Sequence, residues 1–216
     1  MKHIYNEHFY EITLPDIQEG TCYEYRIYHS EQNFTDHADP YGFGMELRPA
    51  HKSIVRDINS YVFQDQDWIK KRKSTKNSPV NIYEMHMGSF RKPSEEPDAW
   101  YSYEEIGDLL VPYLLESGYN YVEFMPICEH PCDESWGYQN TGFYAPTSRY
   151  GTAGQLQKLI DMLHRNNIGV ILDFVPVHFA LDEYGLRRFD GSELYEYPSS
   201  DVGVSEWGSC NFMHSR

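Results

Sequence analysis

Asp173 and His178 stand five positions apart in Gly169 to Phe179, which reads Gly-Val-Ile-Leu-Asp-Phe-Val-Pro-Val-His-Phe. The run opens with β-branched and bulky apolar residues, the pattern of a strand buried on both faces, and a carboxylate inside such a run needs a reason. Pro176 has no N–H to give to a ladder, so the strand is expected to end near Asp173, with His178 in the loop just beyond. That is where α/β folds place their chemistry. A second stretch of interest is Ser135-Trp136-Gly137-Tyr138-Gln139-Asn140-Thr141-Gly142-Phe143-Tyr144-Ala145-Pro146. Its glycines let large rings stand out from a bent backbone, which suits Trp136 and Tyr138 to stacking on pyranose faces. The plain alternatives are a structural hydrogen-bonding aspartate, a loop histidine and an aromatic loop packed under its own turns.

Other chemistries find little support. Cys128 and Cys132 bracket His130, but no second ligand pair follows at a finger-like distance, so no metal is expected. No Gly-x-Gly-x-x-Gly follows a strand and no Gly-Lys-Ser/Thr motif occurs, so neither a phosphate cradle nor a cofactor is expected. With 33 acidic against 18 basic side chains and a net charge of -15, the chain would repel phosphate backbones, which argues against nucleic acid and membranes as partners. A neutral ligand fits better. Nineteen residues are tyrosine, which offers a flat apolar face for a sugar ring and a hydroxyl for its edge. With no apolar run of about 18 residues and no signal-peptide pattern after Met1, a soluble cytoplasmic protein with free thiols is expected.

The elements that must position these residues fall into two parts. Residues 1–64 alternate apolar and polar over short stretches, as in Tyr23 to Tyr28, with breaks at Pro15, Gly20 and Asp39-Pro40-Tyr41-Gly42. About three strands of an antiparallel sandwich are expected there. Residues 65–79 are polar and locally basic, with Lys70 to Lys73 at their centre, and read as a solvated linker. Over 80–216 the rhythm becomes strand, helix, strand, helix, strand. Val80 to Met87, Tyr121 to Ile127 and the stretch from Gly169 are the expected strands. Ser102 with Glu105, and Thr152 with Gln155, have capping-box spacing at two helix starts. Ile106, Leu109, Leu110 and Leu114 line one face of the first helix; Leu156, Leu159, Ile160 and Leu163 line one face of the second. Pro112 should kink the first helix and Gly118 suits its left-handed end. Glu84, His86, Glu123 and Glu129 read as sheet-end and loop hydrogen-bonders. Helical crossovers between strands imply a parallel sheet, doubly wound or a partial barrel.

Glu129-His130-Pro131, Ser135-Trp136-Gly137-Tyr138-Gln139, Ala145-Pro146-Thr147-Ser148-Arg149-Tyr150-Gly151 and Leu172-Asp173-Phe174-Val175-Pro176-Val177-His178-Phe179 together resemble the bacterial-type 1,4-α-glucan (glycogen) branching enzymes of the α-amylase superfamily. The likeness continues through Gly185-Leu186, Phe189-Asp190-Gly191, Leu194-Tyr195-Glu196 and Trp207-Gly208, and reaches back to Asp39-Pro40-Tyr41. Phe174 stands where tryptophan is usual, and Asn140 where bacterial enzymes often have proline.

The resemblance implies an α/β fold: the first three β/α units of a (β/α)8 TIM barrel, preceded by part of an N-terminal β-sandwich carbohydrate-binding module. It implies α-1,4-glucan (glycogen, amylose, maltooligosaccharides) as ligand and α-1,6 branch formation by retaining chain transfer. Such a transfer uses a nucleophile and an acid/base carboxylate about 5–5.5 Å apart. In the family these lie on later strands, beyond Arg216, so no catalytic residue is assigned here and the chain is expected to be inactive alone. By the same resemblance Tyr138 stacks under the sugar at the cleavage position, His178 hydrogen-bonds its 6-hydroxyl, and Asp173 orders the site by pairing with an arginine near the nucleophile. Trp136 belongs to the same substrate-binding set. Two alternatives remain: a non-catalytic α-glucan-binding protein, and a fragment of a debranching or trehalose-releasing hydrolase.

Overall fold

The computed structural model describes residues 1–4, 9–74, 77–93 and 98–215. Its N-terminal part holds short strands β1 (Lys2–Ile4), β2 (Phe9–Glu11), β3 (Cys22–Tyr23), β4 (Tyr25–Tyr28), β5 (Phe34–His37) and β6 (Ser53–Ile54). They pair antiparallel as β1 with β2, β3 with β6, and β4 with β5. This is more strand than the sequence suggested, because pairings of two to four residues leave almost no periodicity to read.

The remainder contains α1 (Gln66–Ser74), β7 (Ile82–Met85), α2 (Met87–Phe90), α3 (Tyr103–Ser117), β8 (Tyr121–Phe124), β9 (Cys128–Glu129), β10 (Gly142–Pro146), α4 (Ala153–Arg165), β11 (Gly169–Leu172), β12 (His178–Phe179), α5 (Ser200–Gly203) and β13 (Cys210–Asn211). Strands β7, β8 and β11 form a parallel sheet with β8 in the middle. Helices α3 and α4 follow the first two of these strands and pack on one face. Both helices start on the expected capping boxes, Ser102 with Glu105 and Thr152 with Gln155. Gly118 ends α3 in the left-handed conformation at φ 78°. Pro112 does not end α3; it sits on the exposed side, where water can take the carbonyl it leaves unpaired.

Leu110, Leu114, Val122, Phe124, Leu159, Leu163 and Ile168 are fully buried between helices and sheet, each worth about 1.5–3 kcal/mol. Gly107 lets α3 and α4 approach, since a Cβ there would lie 2.9 Å from the Met162 sulfur. The opposite sheet face is open. Glu84 and Glu123 lie side by side on it in register, without a hydrogen bond or ion pair among the described residues, so they are not the hydrogen-bonders expected. Strand β11 is likewise not buried on both faces: it is the sheet's edge, Val170 and Ile171 are half-buried and Leu172 is 46% exposed. Its apolar composition identified a strand correctly but not its cover.

Residues 66–74, within the stretch read as a linker, form a helix instead. Its Trp68 is buried, stacked on His164 of α4 at 5.1 Å with the ring of Tyr121 6.2 Å away. Residues 75–76 of that stretch lie outside the described residues. Polar contacts tie the N-terminal part to the sheet and helices: His37 Nδ1–H donates to the Gly185 carbonyl at 2.8 Å, and Tyr61 and the Gln64 amide donate to buried Asp161. Among the described residues no helix is long and apolar enough to cross a membrane.

Candidate functional site

Asp173 follows the last residue of β11, and its amide still donates to the Phe124 carbonyl at 2.9 Å. His178 is not in a loop; it heads β12, paired with Asn211 of β13. Between them the chain bends through Pro176, and both side chains turn to one residue. The Tyr138 hydroxyl donates to Asp173 Oδ2 at 2.9 Å, and His178 Nε2–H donates to the Tyr138 carbonyl at 2.8 Å. Tyr138 is thus held at its two ends by the residues the sequence singled out.

The Tyr138 hydroxyl resists ionisation, its pKa pushed up to about 12 by partial burial, by the bond to Asp173 and by the nearby carboxylates Glu84 and Glu123. It therefore stays a neutral donor and acceptor across the working pH range. Asp173 accepts from this hydroxyl through Oδ2, and its second oxygen has no hydrogen-bond partner among the described residues. With Nε2 committed, a neutral His178 keeps Nδ1 free to accept a hydrogen bond. The arrangement can therefore offer a half-buried aromatic face with acceptors around its edge.

Trp136 stands apart. It is 55% exposed, its ring 6.5 Å from that of His86, and no hydrogen bond or ring contact joins it to Tyr138, Asp173 or His178. The turn carrying it is tight: Trp136 and Gly137 both take positive φ, 54° and 87°. A Cβ on Gly137 would come within 2.2 Å of the Pro126 carbonyl oxygen. Gly137→Ala combines left-handed strain with a backbone clash, so it should lose on the order of 2–4 kcal/mol in urea unfolding. A loss under about 1 kcal/mol would mean the loop moves freely.

What anchors this loop was not foreseen. Arg149, 2% exposed, donates to Glu129 Oε1 at 2.7 Å, to Asp133 Oδ1 and to Thr147 Oγ1. Arg48, from the N-terminal part, pairs with the other Asp133 oxygen. Asp133 opens the short 3-10 turn (Asp133–Ser135) leading into Trp136. Arg48 and Arg149 hold its carboxyl well below the usual range. Burial pushes Glu129 up, against the pull of the Ser148 amide and Arg149. The one signal for this network was a lone arginine inside a motif of small and aromatic residues.

The Cys128-His130-Cys132 cluster points in three directions. Cys128 Sγ donates to the Phe143 carbonyl, His130 Nδ1–H to the Cys128 carbonyl, and Cys132 Sγ to Glu134. Among the described residues no group of three His, Cys, Asp or Glu could hold a metal ion, and the four cysteines are free thiols. Buried His130 has its pKa pushed down to about 4 by burial and by the neighbouring Arg149. The unfolded chain binds this proton near pH 6.5, so stability is complete above that pH and falls as the pH drops to about 4. The loss should be on the order of 3 kcal/mol at most. Urea midpoints across pH 4–7 should show it, and a His130→Gln variant should flatten the slope; an equally steep slope in the variant would contradict this assignment.

Comparison with known proteins gives a consistent result. The alpha-amylase catalytic domain family matches residues 104–193. The chain is 46% identical over 211 residues to the 1,4-alpha-glucan branching enzyme GlgB of Fusobacterium nucleatum, covering 98% of this chain and 34% of the relative. It is 47% identical over 216 residues to 1,4-alpha-glucan branching enzyme GlgB 2 of Clostridium perfringens, covering 98% and 32%. The chain thus spans about a third of the length of the curated relatives it matches. Among solved structures, a Salmonella typhimurium protein described as an alpha amylase superposes with a TM-score of 0.68 at 26% identity, over 90% of this chain and 30% of that one. A pullulanase solved with maltotetraose shares the fold, with a TM-score of 0.65 at 17% identity over 88% and 29%. Over nearly its whole length the chain is thus similar to about a third of the length of bacterial 1,4-alpha-glucan branching enzymes, and the stretch that carries Tyr138, Asp173 and His178 matches the alpha-amylase catalytic domain family.

Proposed function

We propose that this chain is the glucan-holding portion of a cytoplasmic 1,4-alpha-glucan branching enzyme, binding the donor α-1,4-glucan at Tyr138. The observation that carries the reading is the double hold on Tyr138, by Asp173 at its hydroxyl and by His178 at its carbonyl. This fixes an aromatic face and leaves acceptors on Asp173 and His178 for sugar hydroxyls. Trp136, 55% exposed on the preceding turn, stands to one side of this platform. In this reading β7, β8 and β11 with α3 and α4 are the opening β/α units of a (β/α)8 barrel, and residues 1–64 belong to a carbohydrate-binding sandwich. Their polar anchoring to the barrel portion, through His37 and Arg48, supports one working unit.

A retaining transfer requires a nucleophile and an acid/base carboxylate, and of the two residues that hold Tyr138 only Asp173 is a carboxylate. The 216-residue polypeptide should therefore bind glucan without transferring it. Maltoheptaose should quench tryptophan fluorescence saturably where cellohexaose does not, and amylose should gain no branches. Absence of maltoheptaose binding would overturn the proposal; branch formation above background would overturn the division of labour it assumes.

A further inference from the structure

The 3-10 turn that leads into Trp136 and Tyr138 is held from the N-terminal part. The Arg48 guanidinium meets Asp133 as a fork, Nε–H donating to Oδ1 at 2.9 Å and Nη2–H to Oδ2. With the two side chains 40% and 37% exposed, such an ion pair on its own would contribute little. Three further observations lift it out of that class. Met45, three residues earlier, is 1% exposed and its carbonyl accepts from the Ser148 hydroxyl, so Arg48 reaches out from docked backbone and gives up little freedom in doing so. The Arg48 and Arg149 guanidiniums both lie over the Trp100 ring, 5.6 and 5.8 Å from its centroid, and the π face helps their shared Asp133 to keep two like charges together. Hydrogen bonds then lead from Asp133 into the site. The Trp136 amide donates to the Asp133 carbonyl at 3.1 Å, the Gly137 amide to the Ser135 hydroxyl at 3.3 Å and the Tyr138 amide to the Ser135 carbonyl at 3.0 Å. A displaced turn therefore displaces the Tyr138 ring.

We propose that Arg48 is a positioning residue for the Tyr138 site: it fixes the turn from the N-terminal part, so that glucan affinity is set in part by an ion pair away from the sugar. The proposal rests on the reading of Tyr138 as glucan-binding and adds a control to it. Two properties follow. Arg149 keeps Asp133 attached when Arg48 is lost, so the turn loosens without unfolding, and only the molecules with the turn in place bind. The Arg48 contact is open to solvent ions, whereas the Arg149 side chain is 2% exposed, so salt weakens the first selectively. Maltoheptaose is uncharged, and a salt dependence of its binding reports on the protein.

Calorimetric titration with maltoheptaose between about 0.01 and about 1 M NaCl tests this on the 216-residue chain, on Arg48→Ala, on Arg48→Lys and on Tyr138→Ala. Hydrogen exchange at the amides of residues 136–138, read without sugar, reports the order of the turn. At low salt Arg48→Ala should bind about fivefold more weakly and exchange those amides faster. Arg48→Lys keeps the charge but not the fork, and should fall between the two. Salt should carry the unaltered chain most of the way to the Arg48→Ala affinity and leave that variant nearly flat, with circular dichroism as the folding control. Unchanged affinity in Arg48→Ala, or a loss with neither the exchange nor the salt slope altered, overturns the proposal; the reading of the site stands if Tyr138→Ala still weakens binding. Should Arg48→Ala fail to fold, salt-independent binding by the unaltered chain together with full affinity in Arg48→Lys overturns it equally. No maltoheptaose binding by the unaltered chain, or none lost in Tyr138→Ala, defeats the reading of the site and the proposal with it.

Discussion

Arg149→Ala is expected to lose about 3–5 kcal/mol of folding stability, a large share of what a domain of this kind possesses. Three facts set that size. The guanidinium is 2% exposed, it satisfies Glu129 and Asp133 together, and its removal leaves the 4%-exposed Glu129 carboxylate without its countercharge. The damage should be largely electrostatic, so neutralising the stranded partner should undo part of it. Arg149→Ala/Glu129→Gln should be clearly more stable than the sum of the two single changes predicts. Urea unfolding of all four proteins reads this out. A single-variant loss under about 1 kcal/mol, or strict additivity, would show that the network does not hold the loop.

Tyr138→Ala should weaken maltoheptaose binding by about 30-fold, the equivalent of ~2 kcal/mol for truncating an aromatic anchor. Tyr138→Phe keeps the ring and loses only the hydroxyl that donates to Asp173. It should cost a few-fold, in line with about 1 kcal/mol for one hydrogen bond. This ordering separates a stacking role from a merely structural one. If Tyr138 only tied the loop to β11, the phenylalanine and alanine variants would lose stability together and leave sugar affinity of the folded fraction alone.

The parts of this molecule that could be read from sequence are those whose cause is local. Ser102 with Glu105, and Thr152 with Gln155, are decided within four residues, and both boxes form as spaced. Their helices bury Leu110, Leu114, Leu156, Leu159 and Leu163 as expected, but Leu109 is only half-buried and α3 also turns Gly107 and Val111 inward. Where the cause is distant, the sequence misled. The polar run from Asp65 hid a helix because its one buried ring, Trp68, is covered by His164, nearly a hundred positions later. His178 looked like a loop residue because its strand partner, Asn211, lies beyond a long irregular stretch.

The site shows the same division. Motif order brought Tyr138, Asp173 and His178 to notice, and the structure joins them by hydrogen bonds; it sets Trp136 to one side. The geometry of their union, Asp173 on the hydroxyl and His178 on the carbonyl, depends on a turn at Gly137 and an anchor at Arg149 that no spacing rule announces. Asn140 shows such a constraint: it is buried, neither of its side-chain amide atoms has a partner among the described residues, a cost of about 1–3 kcal/mol, and its backbone carbonyl accepts from Ala180 just beyond β12.

A crystal structure of the 216-residue chain with maltoheptaose tests the account most directly. It should show one glucose ring lying on the face of Tyr138, with hydroxyls within hydrogen-bond distance of Asp173 Oδ1 and His178 Nδ1. An oligosaccharide ordered elsewhere, with the Tyr138 face bare, would contradict it.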